Sequence, residues 1–244
     1  MNVKILKIPF DLGILEENKR GASKAPEVLS KHLKGNFIDV PINSGNFEET
    51  QKNIENYASK EYQKNNFVIG LGGDHSVSYG LIKAFDKSFK NKGLIYFDAH
   101  PDCQDYFLPS TYEDILRCVI KDTDIYPNLL LIGTREITKA EKEFIKKNKI
   151  KISNKKEDIL SLINKVKNIY VSIDIDVLDP TYAPGTGEPV KNGLTPKELN
   201  EFLRIIISSG KLKGVDLVEV SPDLDENNKT TKVATNLLGK FLTL

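Results

Sequence analysis

Apolar residues in this chain fall into short unbroken runs separated by longer, interrupted stretches. The runs Phe67-Val68-Ile69-Gly70-Leu71, Gly93-Leu94-Ile95-Tyr96-Phe97 and Asn168-Ile169-Tyr170-Val171-Ser172-Ile173 lack the apolar/polar alternation of a half-exposed strand. They read as strands buried on both faces, the mark of a parallel sheet. Further strands are expected over residues 3–8, 37–40, 128–133, 150–152 and 214–218. Between them the pattern predicts a helix starting near Pro26, a residue tolerated in a first turn, and one over 48–64. Others are expected from the Gly72-Ser76 turn to about 85, then over 112–121, 139–147, 157–165, 196–208 and about 230–241. Thr195, followed by Pro196 and Glu198, predicts a capping box at the start of the seventh of these. Strands alternating with helices imply βαβ units with right-handed crossovers, hence an α/β fold of three layers, a mostly parallel central sheet with helices on both faces. No linker, repeat or low-complexity segment interrupts the pattern, and one core can serve this length, so residues 1–244 read as a single domain.

The ends of the buried runs carry the chemistry. Asp98-Ala99-His100-Pro101-Asp102 follows the second run, with two carboxylates and an imidazole at alternate positions. If the strand geometry persisted, all three would point to one side, because strand side chains have period two. Asp74 and His75, then Asp174, Asp176 and Asp179, then Glu219 follow three other expected strands. Parallel sheets build their sites at this edge. So many carboxylates in one place repel and raise one another's pKa unless cations neutralise them. An oxygen-rich set with two imidazoles suits Mn(II) or another divalent ion better than a thiol-selecting metal, and the number of acids suggests two ions. Asp74 also reads as a helix cap and Asp179-Pro180 as a turn. His32, on a polar stretch, reads as an ordinary surface histidine.

Charge and composition narrow the partners. Lys+Arg of 35 against Asp+Glu of 34 leaves a net +1, which points away from nucleic acid or an anionic membrane as a general partner. The lysine-rich stretch from Lys139 to Lys167 reads as a solvated face. Cys103 and Cys118 are the only cysteines and form no CxxC pair, against a disulfide framework or thiolate zinc site and consistent with a reducing cytoplasmic setting. Lysines and a proline interrupt the first residues before any signal-peptide core, and no apolar run reaches the roughly 18 residues a membrane helix needs.

Three segments in order, Gly72-Gly73-Asp74-His75-Ser76, Asp98-Ala99-His100-Pro101-Asp102 and Ser172-Ile173-Asp174-Ile175-Asp176-Val177-Leu178-Asp179-Pro180, resemble the signature motifs of the ureohydrolase family, which contains arginases, agmatinases, guanidinobutyrases and formimidoylglutamases. Gly21-Ala22-Ser23-Lys24-Ala25-Pro26 and Val218-Glu219-Val220-Ser221-Pro222 are similar to the family's N-terminal and C-terminal segments, so the likeness spans nearly the whole chain. The resemblance implies an arginase-like fold and a binuclear manganese centre. His75, Asp98, Asp102 and Asp174 would hold one Mn(II) and His100, Asp98, Asp174 and Asp176 the other, with Asp98 and Asp174 bridging. Two ions sharing a water lower its pKa and supply the nucleophile that a resonance-protected guanidinium carbon requires. Asp102 would orient it, and Glu219 would grip the guanidinium, a planar cation suited to paired hydrogen bonds. An oligomer, trimer or hexamer, is implied as well.

The departures bear on the substrate. Arginases and agmatinases carry a histidine in the loop after the second motif, where a positioned proton donor is worth about 10²–10⁴ in rate. Here that histidine is absent and Tyr112 falls near its place, so turnover is expected to slow unless Tyr112, Glu113 or another group substitutes. The Asn- and Ser-containing loop by which arginases hold the amino-acid end is not recognisable. The third motif continues in the agmatinase-like form Ala183-Pro184-Gly185-Thr186-Gly187-Glu188-Pro189, with Glu188 where the family commonly has threonine. That extra carboxylate would favour a more cationic substrate or else face solvent. Cys103, beside a ligand, is expected to serve packing, with a soft perturber of the metal site as the alternative. The resulting expectation is hydrolysis of a linear guanidino C–N bond to urea and an amine, with agmatine ahead of arginine or formimidoylglutamate as substrate, and Glu188 and Tyr112 as further substrate contacts. The alternative is a metal-binding homologue whose catalysis is lost or reduced. A deacetylase-like amidohydrolase is disfavoured because the chain has no His-His pair.

Overall fold

The computed structural model describes residues 2–14, 16–105 and 111–244. Eight strands form one sheet: β1 Val3–Lys7, β2 Asn36–Asp39, β3 Phe67–Leu71, β4 Lys92–Phe97, β5 Leu129–Ile132, β6 Lys151–Ile152, β7 Asn168–Asp174 and β8 Leu212–Val218. They lie in the order β2-β1-β3-β8-β7-β4-β5-β6. Every pairing is parallel, so the expected mostly parallel sheet is parallel throughout. All carboxyl ends therefore lie along one edge. β3, β8, β7 and β4, the strands that precede the candidate site residues, are the central four.

The helices are α1 Ala25–Ser30, α2 Phe47–Gln63, α3 Ser78–Ser88, α4 Ile115–Asp122, α5 Lys139–Lys147, α6 Lys156–Lys165, α7 Pro196–Ser208 and α8 Lys229–Gly239. Side chains alternate across each strand and so feed two separate cores. Ile95, Phe97, Val171 and Ile173 pack with Leu29 of α1, Ile159 of α6, Phe202 of α7 and Leu237 of α8. Leu94, Tyr96, Val68 and Tyr170 pack on the other face with Ile54 of α2, Phe85 of α3, Leu116 of α4 and Phe144 of α5. Each fully buried side chain of this size stabilises by about 1.5–3 kcal/mol, so both faces are held and the strand ends between them have little freedom.

Boundaries move by up to three residues from the pattern-based ranges, and α3 is preceded by a 3-10 turn, His75–Val77. The helix expected over 112–121 is divided into a 3-10 turn, Tyr112–Asp114, and α4. Thr111 accepts from the Glu113 amide at 3.3 Å while the Asp114 carboxylate accepts from the Thr111 amide at 2.9 Å, and this local cap turns Tyr112 out of the α-helical spiral. The Thr195 capping box forms as expected, with Thr195 Oγ1 accepting from the Glu198 amide at 3.2 Å and Glu198 Oε2 accepting from the Thr195 amide at 2.8 Å. His32 and every lysine from Lys139 to Lys167 are exposed. No helix among the described residues is long and apolar enough to cross a membrane.

Candidate active site

The carboxyl ends of β3, β4, β7 and β8 bring His75, Asp98, His100, Asp102, Asp174, Asp176 and Glu219 together. Gly73 makes this possible on the β3 side, because a Cβ there would fall 1.8 Å from the Phe10 carbonyl oxygen, which instead accepts from the Asp74 amide at 2.8 Å. Two of the seven sit in the left-handed region, Asp102 at φ 46° and Glu219 at φ 61°, a conformation that non-glycine residues keep only where the surroundings enforce it. The segment after β4 is therefore not a strand continued past its end, as the period-two pattern suggests. It turns, with the His100 amide donating to Asp98 Oδ1 at 2.6 Å, and Asp102 reaches the site from the turn's far side.

Three carboxylates converge on one nitrogen. His75 Nδ1 lies 2.9 Å from Asp98 Oδ2, 3.0 Å from Asp102 Oδ2 and 3.3 Å from Asp174 Oδ2. A single ring nitrogen cannot serve three acceptors, and Asp98 Oδ2 is buried with no hydrogen bond at all. Close approach without hydrogen-bond alignment is what atoms arranged about a common centre show. Two overlapping groups have the spacing to hold an ion each, His75 with Asp98 and Asp174, and Asp98 with His100 and Asp176. In the second, His100 Nδ1 is 2.9 Å from Asp176 Oδ2 and 3.6 Å from Asp98 Oδ1. Asp98 is common to both.

The electrostatics demand a cation. Burial, then the charges of Asp102 and Asp176, push Asp98 up to about 7; burial and Asp176 and Asp98 push Asp174 well up. Burial alone would lower His75, but Asp102, Asp174 and Asp98 outweigh it and raise the imidazole well above its ordinary value. A proton or a metal ion answers that demand equally. Asp176 is the exception: burial pulls it up, yet His100 and the Ala99 amide hold it below the usual carboxylate range.

Residues beyond the expected set hold these groups in place. His75 Nε2 lies 2.9 Å from Ser172 Oγ, which donates its hydrogen to Asp216 Oδ1 at 2.7 Å, so the ring proton belongs on Nε2 and Nδ1 faces the carboxylates. Tyr170 donates to the other Asp216 oxygen at 2.7 Å. Tyr96 stacks on the His75 ring, centroids 4.6 Å apart, and donates to Asp102 Oδ2 at 2.7 Å. Asp216 and the two tyrosine hydroxyls are polar groups inside otherwise apolar buried strands, and that incongruity is the signal by which they can be found in sequence. Arg135 carries no such signal. It donates to the carbonyls of Gly133, Asp176 and Val190 at 3.0, 2.8 and 2.7 Å, tying the segment after β7 to the end of β5.

Of the open alternatives, several resolve. Asp74 is a cap, accepting from the Ser76 amide at 3.0 Å and from the Gly13 amide at 2.7 Å. Asp179 closes a turn, accepting from the Thr181 amide at 3.0 Å and the Asn192 amide at 2.7 Å. Glu219 does more than terminate a strand: its Oε1 accepts from the His75 amide at 2.7 Å, and it lines a narrow cavity with His100, Asp102, Asp174, Asp176 and Glu188. Glu188 is not a solvent-facing turn residue, because it pairs with Lys19, accepts from the Tyr112 hydroxyl at 3.2 Å and lies 3.9 Å from His100 Nε2. Cys103 is fully buried, its thiol in the core beside α4. Residues 106–110 of the loop after the second motif lie outside the described residues.

The arginase-family sequence profile matches residues 1–243 of the chain. An agmatinase of Bacillus subtilis (strain 168) is 36% identical over 213 residues, which cover 84% of this chain and 72% of the relative. An arginase of Staphylococcus aureus (strain COL) is 32% identical, covering 87% and 84%. The crystal structure of formimidoylglutamase from Bacillus subtilis subsp. subtilis str. 168 shares the fold, with a TM-score of 0.91 at 24% identity over 100% of this chain and 87% of that one.

Proposed function

The chain belongs to the arginase family of metal-dependent hydrolases of amidino C–N bonds, and from that premise we propose that it is a binuclear manganese enzyme that releases urea and an amine from a linear guanidino compound, agmatine ahead of arginine. The observation that carries the reading is the convergence of Asp98, Asp102 and Asp174 on His75 Nδ1 with Asp98 Oδ2 left unbonded. Divalent ions fit that donor set of carboxylate oxygens and imidazole nitrogens. His75, Asp98, Asp102 and Asp174 would hold one and His100, Asp98, Asp174 and Asp176 the other. When bound, the ions lower the pKa of water to make a nucleophile at neutral pH and let the carboxylates stay ionised side by side.

The chain's own residues supply the rest. Asp102 Oδ2, already fixed by the Tyr96 hydroxyl, would orient the attacking water. Glu219, anchored through Oε1 by the His75 amide, binds the guanidinium against the ion-holding residues. Tyr112 is kept a protonated phenol by burial and by the charges of Glu188 and Glu113, and its one hydrogen, which Glu188 accepts at 3.2 Å, would serve the substrate only by turning from Glu188. Support for agmatine over an anionic-tailed substrate comes from the adjoining cavity of about 150 Å³, lined by Asp102, Glu113, Glu136, Glu141 and Glu188 and by no lysine or arginine among the described residues. A cytoplasmic homo-oligomer, trimer or hexamer, belongs to the same reading.

Manganese-loaded protein offered agmatine, arginine, guanidinobutyrate and formimidoylglutamate is expected to release urea fastest from agmatine. Urea, formamide or ammonia no higher than in an Asp98→Ala control for all four would overturn the proposal in favour of a non-catalytic metal-binding protein.

A further inference from the structure

Lys19 reaches the site from the chain's first forty residues and makes an ion pair with Glu188, 169 positions away. The same Glu188 oxygen accepts from the Tyr112 hydroxyl at 3.2 Å. Glu188 and Tyr112 line both of the cavities that meet here, and Lys19 pairs with Glu188 from outside their lining. The inner cavity, between Glu219 and the metal-holding residues, is about 10 Å³, room for about one water. The outer one is the acidic cavity of about 150 Å³, and Glu188 lines both. A guanidino substrate entering from the outer cavity meets Glu188 before it meets Glu219.

We propose that Glu188 selects substrates carrying a second positive charge, and that Lys19 is the internal cation holding that place until such a substrate replaces it. This rests on the functional reading above. A carboxylate with only 29% of its side chain exposed is costly to leave without a counter-charge. A substrate ammonium can take over from Lys19 with no net loss of pairing at Glu188. A neutral tail must leave the Lys19 tie in place, and an anionic tail would bring like charge into a cavity lined by carboxylates and by no lysine or arginine among the described residues. The lysine also has a second partner to retreat to, since its ammonium lies 2.6 Å from Glu16 Oε2. Exchange therefore strands no charge on either side, which is the condition for a pairing that discriminates rather than blocks.

The test compares agmatine with butylguanidine, which has the same chain length and lacks the distal amine, and 1,4-diaminobutane with butylamine in calorimetric titrations of the manganese-loaded protein. Glu188→Gln is expected to lower the agmatine-to-butylguanidine ratio of kcat/KM by about tenfold, a change seen in KM. Lys19→Met, which removes the internal competitor, is expected to tighten diaminobutane binding and lower the KM for agmatine, and it keeps the test open should Glu188→Gln fold poorly. Equal loss on both guanidines in Glu188→Gln, or weaker diamine binding in Lys19→Met, overturns the proposal while leaving guanidine hydrolysis standing. If no guanidine is hydrolysed yet diaminobutane binds better than butylamine and loses that advantage in Glu188→Gln, the functional reading fails and the cation site stands.

Discussion

His75, Asp98, Asp174 and Asp176 stand at or just beyond the ends of central strands and are almost wholly buried, whereas Lys19 and Glu188 stand on segments outside the sheet and keep about a quarter of their side chains in water. The inner group is over-determined: each side chain lies in or within four residues of the end of a buried strand and makes at least one hydrogen bond. The outer group is held by the ion pairs of Lys19 with Glu188 and Glu16 and by the Tyr112 hydroxyl. A parallel sheet can thus keep its hydrolytic chemistry constant while the segments beyond it change what is admitted.

The contrast breaks first at Asp98. Because both ion-holding groups share it, Asp98→Ala is expected to reduce bound manganese measured by elemental analysis from two ions toward none, and kcat/KM by about 10³-fold or more, the scale seen when a group aimed at developing charge is removed. Two tightly bound ions and near-normal turnover in this variant would mean that the ions are held elsewhere. Ser172→Ala is a smaller cut at the same depth. It leaves every proposed ligand in place but removes the acceptor of the His75 Nε2 proton, so metal affinity should fall about 10–100-fold with kcat largely recovered at saturating manganese. Unchanged affinity would show that Tyr96 stacking alone orients the ring.

The same division separates what is legible in the amino-acid sequence from what is not. The sheet, its helices and the convergence of His75, Asp98, His100, Asp102, Asp174, Asp176 and Glu219 are legible because they depend on local signals: apolar runs of strand length, and charged residues directly following them. The supporting groups are less so. Ser172 and Asp216 meet only because β7 and β8 are neighbours in register, and nothing local predicts strand order. Lys19 and Glu188 are paired across a separation of 169 positions, a contact with no sequence signature. The turn after β4 misleads in a different way: period two suggests an extended Asp98-to-Asp102 segment, but the left-handed Asp102 delivers its carboxylate through backbone reversal, which alternation does not reveal.

The smallest cut falls on the outer group alone. Glu188 lies on the segment between β7 and α7, which Arg135 and the Leu178–Leu194 bridge hold at intermediate points and the Thr195 cap holds at its far end. Thr195→Ala removes one hydrogen bond to the Glu198 amide and one from its own hydroxyl to Glu198 Oε2, an expected loss of about 1 kcal/mol in urea denaturation at neutral pH. Bonds from the Thr195 amide and then its hydroxyl keep Glu198 below its ordinary 4.5. A carboxyl lowered in the folded state contributes stability above its unfolded pKa and loses it as pH falls through the folded value. The difference between wild type and Thr195→Ala should therefore be full at neutral pH and shrink below about 4.5. Bound manganese should not change, while the agmatine-to-butylguanidine preference should weaken slightly as the Glu188 segment loosens. A loss of manganese would instead mean that the inner group leans on this segment, and that the two halves of the site are one mechanical unit.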